Sequence, residues 1–555
     1  MSKIDTQLKS CYLDCRMDPQ AAQETSSAGA KKALIFIVIV LVIIVLAGVG
    51  FLVFRGEPAP SEPKVVTGLE RDSITIGYPI SEAAIYPESQ SEFYSQVISS
   101  NIFDGLSKLV NGQVKPNLVE SWTNPDKNTW RFKLRKGVKF HNGDPFTASD
   151  VKFSIDQALK NEWPYSFSFS NIESVQVVDD FTIEVKTNGP DPILLNRLVY
   201  ALIVSENQFK NRGKDPAVGT GPYKLVSMNK EELVLEANQG YFLGVPKVKK
   251  VVYKILPDAI TDEEMVKEFN EGKLDLIRVR DSSKATAVIG TQQIKPLADP
   301  FITFLWFDTA RDKSPYVDKT PNPLKNKLVR QAIYRAIDVS KVIKARGTSS
   351  APASQFVTSS IFGFNPNIKR PEVNVEEAKK LMKQAGFEDG FSLTIDVIDD
   401  ALASKVGDAV ATALKEINIE VKLNTASGDT FVDKWIVNKD TSAFIVDYGA
   451  ETFDAGEIFT AVLYTQKDPL GASNLTNYSN PELDKLADDI AVTFDLKSRQ
   501  KKLYEATAKA IEELPMIPLY SSEPSYIIRN NYDWTPTAFG AIYANEISGR
   551  QMVNQ

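Results

Sequence analysis

The sequence predicts a mixed α/β protein preceded by one membrane-spanning helix, and three observations carry that prediction. Short runs with the two-residue period of strands alternate with segments of helical period, the pattern of layered α/β lobes. A 22-residue stretch without a charge, Ala33 to Phe54, lies near the start. The 555 residues are 43% hydrophobic and 24% charged, a globular balance that supports several packed cores.

As a helix the uncharged stretch reaches about 33 Å, against a hydrocarbon core of about 30 Å. It is longer than a signal-peptide core, and no cysteine follows it for lipid attachment, so it predicts an uncleaved anchor. Lys31 and Lys32 precede it and Arg55 follows. This bias places residues 1–32 in the cytoplasm and the bulk of the chain outside, periplasmic or extracellular. Both cysteines, Cys11 and Cys15, fall in the tail. They lack the two further ligands a zinc site needs, which leaves acylation or no modification. Residues 55–71, with the Pro-rich "EPAPSEPK", predict a linker. The first 56 residues carry +2 of a net −7, leaving −9 beyond them, which argues against a general nucleic-acid binder.

From Ser73 the elements follow in order. "SITIGYPI" predicts a strand, and "SEFYSQVISSNIFDGL" an amphipathic helix with Phe93, Val97, Ile102 and Leu106 among its apolar positions. "NTWRFKLR", "FTIEVKT" and "KKVVYKIL" alternate as half-buried strands do. "DEEMVKEFNEG", "KNKLVRQAIYRAID", "NVEEAKKLMKQAG" and "SRQKKLYEATAKAIEEL" predict helices. No dinucleotide, phosphate-loop, zinc-protease or nucleophile-elbow motif is present, so no cofactor, metal site or catalytic residue is expected, and the protein is read as a non-enzyme.

The single histidine, His141, stands in "LRKGVKFHNGDPFTASDVKFS". Asn142-Gly143 predicts a turn. Thr147 and Asp150 have capping-box spacing, with Phe146 and Val151 at the two positions of a hydrophobic staple. Every neighbour therefore has a structural task, and His141 is read as architecture.

This stretch, extended to "NIFDGL…GQVKPNLVESWTNPDKNTWRFKLRKGVKFHNGDPFTASDVKFS", resembles the signature of the family 5 extracellular solute-binding proteins, the peptide- and nickel-type receptors of ABC importers. "VGTGPYKL", "LVRQAIYRAID", "NVEEAKKLMKQAGF", "NYSNPELDKL" and "YEATAKAIEELPMIPLY" continue it in the family's order, over roughly residues 72–545. The resemblance implies a two-lobed periplasmic-binding-protein-like clamp with an extra subdomain. Residues 72–115, 215–298 and 510–545 would form lobe I, 116–214 the subdomain and 299–509 lobe II.

It also implies a site. Peptide-binding members carry a Trp-Gly-Ala-Asp-type segment whose acid accepts the ligand's ammonium group. The matching stretch is "YGAETFDAG", which puts Tyr448 at the Trp position, Glu451 at the acid and Asp454 at a second acid. Asp447 is the acid in an alternative register. Phe93, Trp163, Tyr165 and Asn474 are further candidates by position, whereas Arg346 is read as a solvated surface residue. The implied function is a membrane-anchored monomer that captures oligopeptides, or a similar polar solute, and delivers them to an ABC permease. The alternative is a ligand sensor that uses the same clamp with its cytoplasmic tail.

Overall fold

Alternating apolar residues build a first sheet around Ser73–Pro79, where Ile74, Ile76 and Tyr78 are buried. In a computed structural model of the chain, the described residues are 72–549 apart from 80–83, 90–92, 111–112, 212–216, 258–259, 291, 468–469 and 538–541. The predicted tail with Cys11 and Cys15, the span 33–54 and the linker lie outside them. Among the described residues no helix is long and apolar enough to cross a membrane.

The first sheet has seven strands, in the order Gln292–Pro296, Ser525–Arg529, Leu276–Val279, Ser73–Pro79, Lys250–Leu256, Glu232–Ala237, Tyr223–Met228. The second has six, in the order Ser350–Pro352, Met516–Ser522, Ile302–Phe307, Ala443–Tyr448, Phe391–Ile398, Ile419–Ala426. Both mix parallel and antiparallel neighbours, and the second packs Lys327–Ala336 and Ala401–Lys415 over a core that includes Leu305, Ile333, Ile395 and Val410. We call the units around these two sheets the first and second lobes.

Two crossing segments join the lobes side by side: Asp299 N–H donates to Ser522 O at 2.7 Å and Leu297 N–H to Pro524 O at 3.2 Å. The expected return to the first lobe at residue 510 therefore comes later, because Met516–Ser522 is still a strand of the second sheet. Its run "MIPLYSS" is apolar enough for either core, and only pairing decides which sheet takes it.

A four-stranded antiparallel sheet, Val119–Asp126, Thr129–Leu134, Thr182–Thr187, Ile172–Asp179, packs against the helix Ala148–Lys160. That helix starts as its sequence predicts. The capping box is in place, with Thr147 N–H donating to the Asp150 carboxylate at 2.9 Å, and Phe146 and Val151 are buried. The helix expected to run from residue 91 towards Leu106 is shorter, Phe93–Ser99. Asn101 ends it by donating from Nδ2 to Val97 O at 2.9 Å, and its Oδ1 accepts Ala544 N–H at 2.9 Å. A side chain bonded in two directions favours a cap over helix continuation.

His141 ties the small sheet unit to the first lobe. Its Nδ1 accepts Gly219 N–H at 3.3 Å, which leaves Nε2 as the donor to Gly221 O at 3.0 Å. A neutral ring satisfies both, and burial pushes its pKa down to about 4. Gly219 must be glycine here, since a Cβ would lie 2.0 Å from Ile102 O.

Candidate functional site at the carboxyl edge of the second sheet

Strands Phe391–Ile398 and Ala443–Tyr448 run parallel, while Ile302–Phe307 and Met516–Ser522 bring both crossing segments to their carboxyl ends. In open α/β sheets ligands collect outside the carboxyl ends of strands. This edge gathers charge from distant parts of the chain: Asp400, Asp447 and Arg346 from the second lobe, Asp299 from a crossing segment, and Arg278 from the first lobe.

Thr303 Oγ1 donates to Asp447 at 2.6 Å. Arg278 pairs with Asp299 at 3.5 Å. Burial pushes the Asp299 carboxyl above its ordinary value, opposed by Arg278 and reinforced by Asp447. Tyr520 is pushed up to about 12, first by burial and then by Asp447. Arg346 lies over the Tyr520 ring, 5.2 Å from its centroid, and donates to Ser350 and Ser522 at 3.1 and 3.2 Å. Its expected solvated surface position is thus corrected: the guanidinium is part-buried at the edge, because the Tyr520 face and three hydroxyls, Thr348 included, hold it there. Asp400 spends its carboxylate on the amide of Leu402, 2.7 Å, as a helix N-cap.

From this edge, residues 449–457 lead to the small sheet unit. Gly449 allows the close approach of Phe301, whose ring would stand 2.8 Å from a Cβ. Tyr448 packs edge-on to Trp306 at 6.2 Å. Glu451 O accepts the Tyr200 hydroxyl at 2.9 Å, and Thr452 O accepts Asn196 Nδ2 at 2.7 Å. Glu457 accepts both the amide and the hydroxyl of Thr452, at 2.8 and 2.7 Å, while burial raises its pKa.

Tyr448, Glu451 and Asp447 thus share one edge and the segment leaving it, whereas two other expected site residues are corrected. Asp454 is 2% exposed and takes a bidentate pair from Arg499, Nε at 2.8 Å and Nη2 at 2.7 Å, plus Gly456 N–H at 2.7 Å. Buried and with its charge compensated by Arg499, this carboxylate is closed to a ligand ammonium. Asn474 is 1% exposed, donates to Tyr464 O and Tyr478 O at 2.8 and 2.7 Å, and accepts Tyr478 N–H at 3.0 Å. Both ends of its side-chain amide hold its own loop. Trp163 is buried against Phe209, 5.6 Å between centroids, and borders a cavity that also touches Tyr200 and Leu202. Tyr165 stacks on Tyr200 at 5.5 Å. Phe93 begins the helix Phe93–Ser99, and its side chain lies outside the described residues.

A family model, the bacterial extracellular solute-binding proteins of family 5 (middle), matches residues 113–469. The chain belongs to this family. This family 5 solute-binding protein is 24% identical over 451 residues to the glutathione-binding protein GsiB of Pectobacterium atrosepticum, covering 78% of this chain and 85% of that one. Its fold is similar to that of HbpA2 from Haemophilus parasuis, with TM-score 0.76, 20% identity, and coverage of 86% of this chain and 100% of the other. It is also similar to DppA from Helicobacter pylori in complex with peptide STSA, with TM-score 0.67, 23% identity, and coverage of 86% and 98%. The two lobes are accordingly those of a periplasmic-binding-protein-like clamp. Sequence reasoning missed Tyr200, Asn196, Asp299 and Glu457 in this solute-binding protein. Tyr200 sits in the apolar run "LVYALIV", which signals only burial, and no local pattern marks the other three.

Proposed function

We propose that the chain captures short peptides, or solutes of like polarity, between its lobes and delivers them to an ABC importer permease. The span 33–54 tethers it to the membrane, and it acts as a monomer with its binding unit outside. The observation that carries this reading is the carboxylate-rich edge where Asp447, Asp299 and residues 449–457 meet between the lobes. A ligand ammonium there makes charge-assisted hydrogen bonds in a partly dry site, where they are strongest. Glutathione and STSA, named for two of the similar proteins, are short peptides with a free amine. Glu451 or Asp447 holds that amine.

Mass spectrometry of whatever co-purifies with the full chain identifies the class. An empty chain with no thermal shift across peptide pools would overturn the reading. Glu451→Gln should weaken peptides with a free N-terminus and spare N-acetylated ones. If Asp447→Asn shows that selectivity instead, Asp447 is the anchor, and equal effects on both peptide forms remove either residue from the role.

A further inference from the structure

Two arginines packed into the second lobe are fully matched. Arg499 gives two bonds to the Asp454 carboxylate. Arg330 donates from all three guanidinium nitrogens to the carbonyls of Leu324, Lys325, Glu513 and Leu514, with the Glu513 carboxylate 3.9 Å away. Arg370 is not matched in this way. Its Nη1 donates to Ala353 O at 3.3 Å and to Pro518 O, but its Nη2 is buried and meets no acceptor among the described residues. The guanidinium carbon lies 4.4 Å over the Tyr334 ring. Tyr334 is 6% exposed, and its hydroxyl is likewise buried without a partner among the described residues. Two orphaned donors thus belong to side chains in direct contact. A buried donor left unpaired costs more than its bond would have gained, so two on neighbouring groups call for a partner.

Charge narrows the choice of partner. Among the described residues no carboxylate pairs with Arg370. Asp338 acts on it only from further off, and its Oδ1 caps the helix Val339–Arg346 through the amides of Ser340 and Lys341, at 3.0 and 3.4 Å. Arg335 adds a second positive charge near Tyr334. Two cations against one committed acid leave a positive excess, and burial pulls the Arg370 pKa down to about 10. A water between two donors accepts from both, yet it needs acceptors for its own protons and leaves the charge uncompensated. A small anion needs only donors, and it supplies the missing charge. Both free atoms are shut off from solvent, which excludes a bulky anion.

We propose that Arg370 Nη2 and the Tyr334 hydroxyl bind a monatomic anion of chloride size inside the second lobe. The ion ties the helix Lys327–Ala336, which carries Tyr334, to Arg370 and through it to Pro518 of the strand Met516–Ser522. It is a structural ion that stabilises the lobe by binding only its folded state. Its site is separate from the solute edge and stands whatever the solute proves to be.

The test is thermal unfolding of the full chain in sodium chloride or bromide against sodium gluconate at equal ionic strength, which separates binding from screening. At about ten times the half-saturating concentration the halide should raise Tm by roughly 3–6 °C, the shift for a lobe of about 200 residues. Tyr334→Phe keeps the ring under the guanidinium and removes one donor. It should cut that rise to less than half, while its Tm in gluconate stays at or above the parent's because an unpaired hydroxyl has gone. In crystals grown from sodium bromide, one anomalous peak should touch both Arg370 Nη2 and Tyr334 Oη. A halide rise that is absent from the parent, or equal in Tyr334→Phe, would overturn the proposal. So would a water at that position with no anomalous signal, or a bromide peak there without any halide dependence in solution, which would mean an adventitious ion only.

Discussion

Replacing Asp454 by Asn separates a structural acid from a ligand-binding one. The side chains of Asp454 and Arg499 are each 3% exposed, and the carboxylate receives two guanidinium bonds and one amide bond. Arg499 also donates from Nη1 to Ile490 O at 2.5 Å, so it is fixed from two sides and cannot swing to water. Asp454→Asn removes the charge but leaves the buried guanidinium, a loss that costs about 3–5 kcal/mol because the remaining ion is uncompensated. For a lobe of about 200 residues this lowers Tm by roughly 6–20 °C. Replacing both partners with apolar residues, Asp454→Leu with Arg499→Met, should recover most of the loss, since a well-packed apolar pair also removes the desolvation cost. The assay is thermal unfolding by circular dichroism, with peptide affinity by calorimetry well below both transitions. Affinity should stay within about twofold of the parent. A variant with unchanged Tm and affinity lowered tenfold or more would refute the structural assignment and return Asp454 to the binding site.

Other outcomes follow from the same geometry. His141 has a folded pKa of about 4 against 6.5 in the unfolded chain, so between these values the unfolded state binds the extra proton. Its contribution is present above pH 6.5 and is lost as pH falls towards 4, on the order of 3 kcal/mol. His141→Gln should flatten that acid limb in a Tm–pH series and leave peptide affinity nearly unchanged; a large affinity loss would contradict its architectural role. Gly219→Ala drives a Cβ to 2.0 Å from a backbone oxygen that cannot rotate away, and should cost about 1–3 kcal/mol in urea unfolding. A neutral result there would mean that the seam between the small sheet and the first lobe is loose.

What was legible in the sequence was local. The capping box at Thr147, the staple of Phe146 and Val151, the Asn142-Gly143 turn and the alternation of Thr129–Leu134 each depend on residues a few positions apart. The family signature is built from such units. The binding-site reading fared unevenly because it needed partners that local pattern does not name. Asp454 looked like a second ligand acid, yet its guanidinium lies 45 residues further on. Asn474 is a ligand candidate by position, and its bonds to Tyr464 and Tyr478 decide against that.

By itself, then, the sequence determined local units such as the strand Thr129–Leu134, the helix Lys327–Ala336 and the cap at Thr147, since propensity, spacing and turn chemistry act over one or two turns of chain. Tertiary structure alone decided which sheet takes Met516–Ser522 and where the chain crosses between lobes. It also decided that Tyr200 meets Glu451 across 251 positions. The physical reason is range. Hydrogen bonds and ion pairs act over a few ångströms in space, and only the packed fold brings residues hundreds of positions apart within that reach.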